Sequence, residues 1–134
     1  MIPMKRRNDE EKFHMQVATY LAMALPVVAW FTTIPTVGSS RFQGAKLKAK
    51  GYAKGTPDIL ILWRSCNWWL ELKSPIGVVS DDQRAVHARI AKAGGCVGLA
   101  KTLEDVEMWL TQWGIPLRAR LSEPATVRGA RNVG

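Results

Sequence analysis

Two short runs of strand-forming residues, ILILW at 59–63 and WWLELK at 68–73, stand four residues apart in the chain. Aliphatic and aromatic runs at that separation predict a β-hairpin, with Arg64, Ser65, Cys66 and Asn67 as its loop. A hairpin dictates which side chains share a face, because alternate residues of a strand point to opposite sides. Pairing Arg64 with Asn67 sets Trp63 opposite Trp68, Leu62 opposite Trp69 and Asp58 opposite Lys73. Asp58, Glu71 and Lys73 then fall on one face, with Glu71 diagonal to Asp58 at about 7 Å between backbones. Ile59, Ile61, Trp63, Trp68, Leu70 and Leu72 make the other face wholly apolar.

Two carboxylates thus sit in strands that otherwise read as buried. Isolated charges are costly there unless they are paired or hold a metal. Hard oxygen donors suit Mg²⁺ or Mn²⁺, which take one or two carboxylates and complete their shell with water and phosphate. A neighbouring lysine can position or deprotonate a water and offset charge on a phosphate. The alternative is a structural cross-strand salt bridge from Lys73 to Asp58 or Glu71 at the end of a sheet.

The flanking segments predict the rest of the domain. Residues 9–25 read as an amphipathic helix, with Phe13, Val17, Tyr20, Leu21 and Ala24 at helical spacing and Pro26 as its stop. Val27 to Ile34 is β-branched and aromatic and reads as a strand. Residues 41–50 look like a short basic helix ended by Gly51. Ser80 opens a further helix as N-cap, with Gln83 completing the S-x-x-Q capping pattern, and Gly94-Gly95 closes it. CVGLA at 96–100 reads as a buried strand and 103–113 as a helix with Leu103, Val106, Leu110 and Trp113 on one face. The order is α-β-α-β-β-α-β-α, an α/β fold whose mixed central sheet is flanked by helices. The strand-helix-strand step from 68 to 100 implies a parallel pair.

Helical phase adds two candidates. Gln83 falls on the buried stripe of its helix with Val86, Ile90 and Ala93, so it points toward the sheet from a helix N-terminus that also favours phosphate. The capping box alone would equally explain it. On the first helix Glu10 continues the stripe of Phe13, Val17, Tyr20 and Ala24, whereas Glu11 lies off it; the alternative for Glu10 is an acid complementing the helix dipole. His14 and His87 read as packing or surface residues more readily than as catalytic ones. Trp63, Trp68, Trp109 and Trp113 occupy core-like positions, and an exposed Trp69 would suit self-association.

The 134 residues fit one domain with a sizeable core, and the formal net charge of +8 suits a polyanion, of which nucleic acid is the commonest. Lys46, Lys48, Lys50 and Lys54, with Arg41, stand close to Asp58 in sequence and are candidates for phosphate contacts; a solvated helix face is the alternative. Cys66 and Cys96 form neither a zinc motif nor a disulfide framework, so a reducing cytoplasm is expected. The apolar stretch after Lys5, Arg6 and Arg7 is interrupted by charges, by His14 and Gln16 and by Pro26. No export signal or membrane span is read there. After Pro116 the residues 117–134 are basic, with little apolar periodicity, and read as a flexible tail to a domain spanning 1–116.

At this point KGTPDILIL from Lys54, ELKSP from Glu71 and SDDQ from Ser80 resemble the virus-type replication-repair nuclease (VRR-NUC) domain of the PD-(D/E)xK superfamily. The likeness runs from about Glu10 to Trp113. It implies a restriction-endonuclease-like core in which Asp58, Glu71 and Glu10 bind Mg²⁺ or Mn²⁺, Lys73 assists catalysis and Gln83 supports the site. It further implies a structure-specific DNA endonuclease acting on branched DNA such as four-way junctions, often as a homodimer, in a bacterial cell or phage-infected host. Two positions depart from the family: His14 stands where many relatives have glutamine, and Thr36 where an asparagine commonly follows the proline. A scaffold that keeps the fold and binds DNA without cutting, or a nuclease for flaps or single strands, is the competing expectation.

Overall fold

The computed structural model describes residues 4–35 and 41–121; for 4–7 and 41–43 it describes the backbone alone. Eight elements follow in the expected order: α1 (Met4–Ala24), β1 (Trp30–Thr33), α2 (Arg41–Ala49), β2 (Ile59–Trp63), β3 (Cys66–Leu72), α3 (Asp81–Lys92), β4 (Cys96–Ala100) and α4 (Leu103–Gln112). The strands form one mixed sheet in the order β1-β2-β3-β4, antiparallel except for the parallel β3–β4 pair across the α3 crossover. No helix among the described residues is long and apolar enough to cross a membrane.

The apolar hairpin face is the floor of the core. Ile59, Ile61 and Leu70 are fully buried against Val17, Leu21 and Ala24 of α1 and Val106 and Leu110 of α4. Trp63, Trp68, Trp113 and Trp109 run as a continuous row, with successive ring centroids 6.1, 6.3 and 5.6 Å apart. Each ring removes a large apolar area from water while staying in tilted or offset contact with the next. Trp109 also donates its indole N–H to the Leu99 carbonyl at 2.8 Å and lies directly over Gly98 of β4. The opposite sheet face is approached by α3.

The hairpin itself differs from the expected register. Cys66 pairs with Trp63, Trp68 with Ile61 and Leu70 with Ile59, so the pairing is slipped by two residues and the turn is Arg64-Ser65 alone. Both turn residues have positive φ, 50° and 63°, as a two-residue hairpin turn of this type requires. Neither is the Gly or Asn that usually announces such a turn, which is why a longer loop was expected. The Arg64 guanidinium lies 4.7 Å from the centre of the Trp63 ring, a contact that favours this turn. Because the slip is even, every side chain keeps its expected face.

Three other boundaries move. α1 starts at Met4 rather than residue 9, since its first turns carry polar residues without apolar periodicity. β1 starts only at Trp30: Val27 and Val28 are exposed in a turn closed by Ala29 N–H to the Pro26 carbonyl at 2.9 Å, a case of β-branched residues outside a strand. On α3 the stripe ends at Ile90, and Ala93 is the exposed C-cap. Packing also continues past the expected boundary at 116. The Arg118 guanidinium caps the end of α1 through the carbonyls of Leu25 and Ala22, at 2.5 and 2.9 Å. The Leu121 N–H donates to Glu107 at 2.7 Å. A single capping arginine leaves no periodic signal in sequence. Residues 122–134, the remainder of the expected tail, lie outside the described residues.

A Cβ at position 98 would come within 2.6 Å of the Trp109 ring, which is held by its own hydrogen bond and by Trp113. Gly98→Ala is therefore expected to destabilise the protein by about 1–3 kcal/mol, the usual range for overpacking. A urea-unfolding midpoint equal to that of the wild type would contradict this.

Candidate active site

With the observed register Asp58 lies level with Glu71 rather than diagonal to it, at the end of β2 and β3 farthest from the turn. One Asp58 carboxylate oxygen accepts the Leu72 N–H at 2.7 Å, and its backbone carbonyl accepts the Ile34 N–H at 2.8 Å. Asp58 is thus held between the two neighbouring strands. Glu71 is only 1% exposed, the one charged residue buried among the described residues. Burial first, then a side-chain hydrogen bond and charge repulsion from Asp58, push its carboxyl up to about 8, against a partly compensating pull from Lys73.

α3 is anchored over this pair. Ser80 and Gln83 form a full capping box: the Gln83 N–H donates to the Ser80 hydroxyl at 3.2 Å, and the Ser80 N–H donates to the Gln83 side-chain oxygen at 2.9 Å. The amide nitrogen of the same side chain then donates to Glu71 Oε2 at 3.4 Å. Capping and contact with the acid, posed as alternatives for Gln83, are made at once by the two ends of one amide. Gly55, at φ +97°, brings the 54–58 loop against the same helix end; a Cβ there would strike the Asp82 carbonyl and lie 2.8 Å from the Gln83 nitrogen. Only glycine combines that dihedral with that approach.

Lys73 follows β3 directly and is pinned by its N–H to the Ala100 carbonyl at 3.0 Å. Its ammonium makes no ion pair within 4.0 Å among the described residues, so the structural salt bridge to Asp58 or Glu71 is not formed. Asp58, Glu71, Lys73 and Gln83 all line a cleft of about 1010 Å³, whose other wall is the start of α1 with Glu10 and His14. Glu10 is half-buried and Glu11 exposed, although both border the cleft. His14 Nε2 lies 3.1 Å from the Thr33 hydroxyl.

The basic candidates are placed less tightly. α2 lies in the excursion that leaves the sheet after β1 and returns at Asp58, which roots it at the cleft end of the strands. Lys46, Lys48, Lys50 and Lys54 are exposed, and Lys54 Nζ pairs with Asp82 at 3.5 Å on the surface. The Arg41 side chain and Thr36 lie outside the described residues.

One residue of the site escaped the sequence reading. His87 Nε2 sits 3.0 Å from Glu71 Oε1, with 19% of its side chain exposed. Burial, then the Lys73 charge, lower the pKa of its imidazole, partly offset by Asp58. The available signal was its spacing: His87 follows Gln83 by four residues and therefore shares its helix face.

Among the described residues no three His, Cys, Asp or Glu side chains converge as a metal cluster. The Asp58–Glu71 pair is nevertheless the donor set a hard divalent cation takes when water and phosphate supply its other ligands. Two apposed carboxyls, one of them desolvated, are also relieved by a positive charge between them.

Comparison with solved structures finds similarity to a VRR_NUC domain protein, at a TM-score of 0.58 and 18% identity, over 78% of this chain and 86% of that one. This chain has the fold of a VRR_NUC domain protein. The resemblance carried by KGTPDILIL, ELKSP and SDDQ is thus met in three dimensions. No family model and no curated protein matches the sequence. At that identity the VRR_NUC likeness establishes fold and leaves chemistry to the residues.

Glu71 makes the metal-free protein pH-sensitive. Its folded pKa lies above the ordinary carboxylate value, so the native state holds the proton more tightly than the unfolded chain. The stability this contributes is full below the ordinary carboxylate range and is lost as pH rises through about 8. Thermal midpoints without divalent ions should fall over that window, and Glu71→Gln should flatten the fall. An unchanged slope in Glu71→Gln would count against the buried carboxyl as its source.

Proposed function

We propose that this protein is a metal-dependent DNA endonuclease that hydrolyses phosphodiester bonds, with the PD-(D/E)xK arrangement of its superfamily. The observation that carries the reading is the apposed Asp58 and Glu71 carboxyls beside the Lys73 ammonium, which makes no ion pair within 4.0 Å among the described residues, in an open cleft. Asp58 and Glu71, with Glu10 from α1 as a further carboxylate, would hold Mg²⁺ or Mn²⁺. Such an ion, when bound, supplies the concentrated positive charge that stabilises a phosphate under attack.

The chain's own groups do the rest. Lys73 orients the attacking water and offsets negative charge on the phosphate. Gln83 keeps the Glu71 carboxylate turned toward the cleft, and the adjoining α3 N-terminus favours an anion. Lys46, Lys48, Lys50 and Lys54, with Arg41, would neutralise phosphates along the bound strand; the exposed Lys54–Asp82 pair exchanges readily for such a contact. We extend the reading to branched DNA, four-way junctions foremost, cut by a homodimer inside a bacterial cell or phage-infected host. A DNA-binding scaffold without catalysis is the second reading, favoured by the lack of a three-ligand cluster among the described residues.

Labelled linear, single-stranded, flapped and four-way-junction DNA, with Mg²⁺, with Mn²⁺ and with EDTA, separates the readings. Metal-dependent cutting is expected, slowed at least about a hundredfold by Lys73→Ala. Cleavage that survives both EDTA and Lys73→Ala overturns the mechanism, and junction binding without cutting in either metal establishes the scaffold.

A further inference from the structure

Glu71 is gripped by α3 at both carboxylate oxygens. Gln83 donates to Oε2 at 3.4 Å, and His87, one turn farther along, lies 3.0 Å from Oε1. The shorter contact is that of the histidine. We propose that His87 is a positioning residue that sets the plane of the Glu71 carboxylate and thereby the affinity of the site for a divalent cation. The proposal rests on the reading of Asp58 and Glu71 as cation ligands.

Three observations support it. Asp58, Glu71, Lys73 and Gln83 border the cleft and His87 does not, so His87 acts on Glu71 from behind. A glutamate carboxylate turns freely about its last bond unless both oxygens are engaged. Here both are engaged from one helix face, and that helix is fixed at its start by the capping box and by the close approach of Gly55. A carboxylate held in this way presents its remaining lone pairs to the cleft in one orientation. Groups that orient a metal ligand from the outer side generally tune metal affinity 10- to 100-fold (about that range).

The test uses the full chain, with His87→Ala and His87→Gln, and Mn²⁺ as the probe. A glutamine side-chain amide can place its nitrogen where the imidazole Nε2 stands, so it restores the hydrogen bond without the ring. Mn²⁺ binding without DNA is followed by electron paramagnetic resonance of the free ion, and folding by circular dichroism. His87→Ala should weaken Mn²⁺ binding about tenfold or more, and His87→Gln should recover most of the loss. The Mn²⁺ concentration giving half-maximal cleavage should shift by the same factor while the KM for DNA stays unchanged. Folded His87→Ala that binds Mn²⁺ within about twofold of wild type overturns the positioning role and leaves the nuclease reading standing. His87→Gln no better than His87→Ala overturns the hydrogen bond as its basis. Wild-type protein that binds no Mn²⁺ overturns the cation site and this proposal together.

Discussion

The structure turns on one buried carboxyl. Glu71 points away from the apolar core into a position with 1% exposure, next to a second acid. Desolvation of an ionised carboxylate costs several kcal/mol unless hydrogen bonds and opposite charge offset it. The Gln83 amide, the His87 imidazole and the nearby Lys73 charge offset only part of that cost, and burial with the Asp58 charge still keeps the carboxyl protonated up to about 8. The acid pair is therefore a strain on the metal-free fold once Glu71 ionises, and a positive charge between the two carboxyls would relieve it.

The other face of the sheet makes such a site affordable. Ile59, Ile61 and Leu70 are fully buried, and the row of four tryptophans spreads the core from the hairpin turn to α4. Alternation then assigns the two faces different tasks, one to hold the domain together and one to carry charge. Tyr20 and Arg118 tie α1 to α4 and to the chain beyond it, through Glu107, Ala119 and the carbonyls at the end of α1. These ties steady the helix whose start forms the far wall of the cleft.

Much of this is legible in the residues because strand alternation is insensitive to an even slip of register. Pairing Arg64 with Asn67 misplaces the hairpin by two residues, yet Asp58, Glu71 and Lys73 keep one face, and the true register brings Asp58 level with Glu71. An odd slip would have put the acids in the core. The turn was hidden because Arg64 and Ser65 adopt positive φ without the residues that advertise it. Val27 and Val28 misled in the opposite way, as β-branched residues in a turn. His87 was missed because a histidine beside a buried glutamate looks, in sequence, like any half-buried polar residue on a helix. Its meaning lies in a contact across 16 residues of chain.

Gln83 links these levels most tightly. Its oxygen completes the capping box that starts α3, and its amide nitrogen reaches Glu71. An amide can do both only if helix start, loop 54–58 and strand β3 are held at fixed separations, and Gly55 sets the closest of those approaches. Movement of the loop would shift Asp58 and the end of α3 together, so the two acids and their supports behave as one unit. The basic excursion carrying α2 leaves and rejoins the sheet at that same unit. In the nuclease reading, a strand bound by those lysines is thereby held close to the end of the sheet that carries the carboxylates.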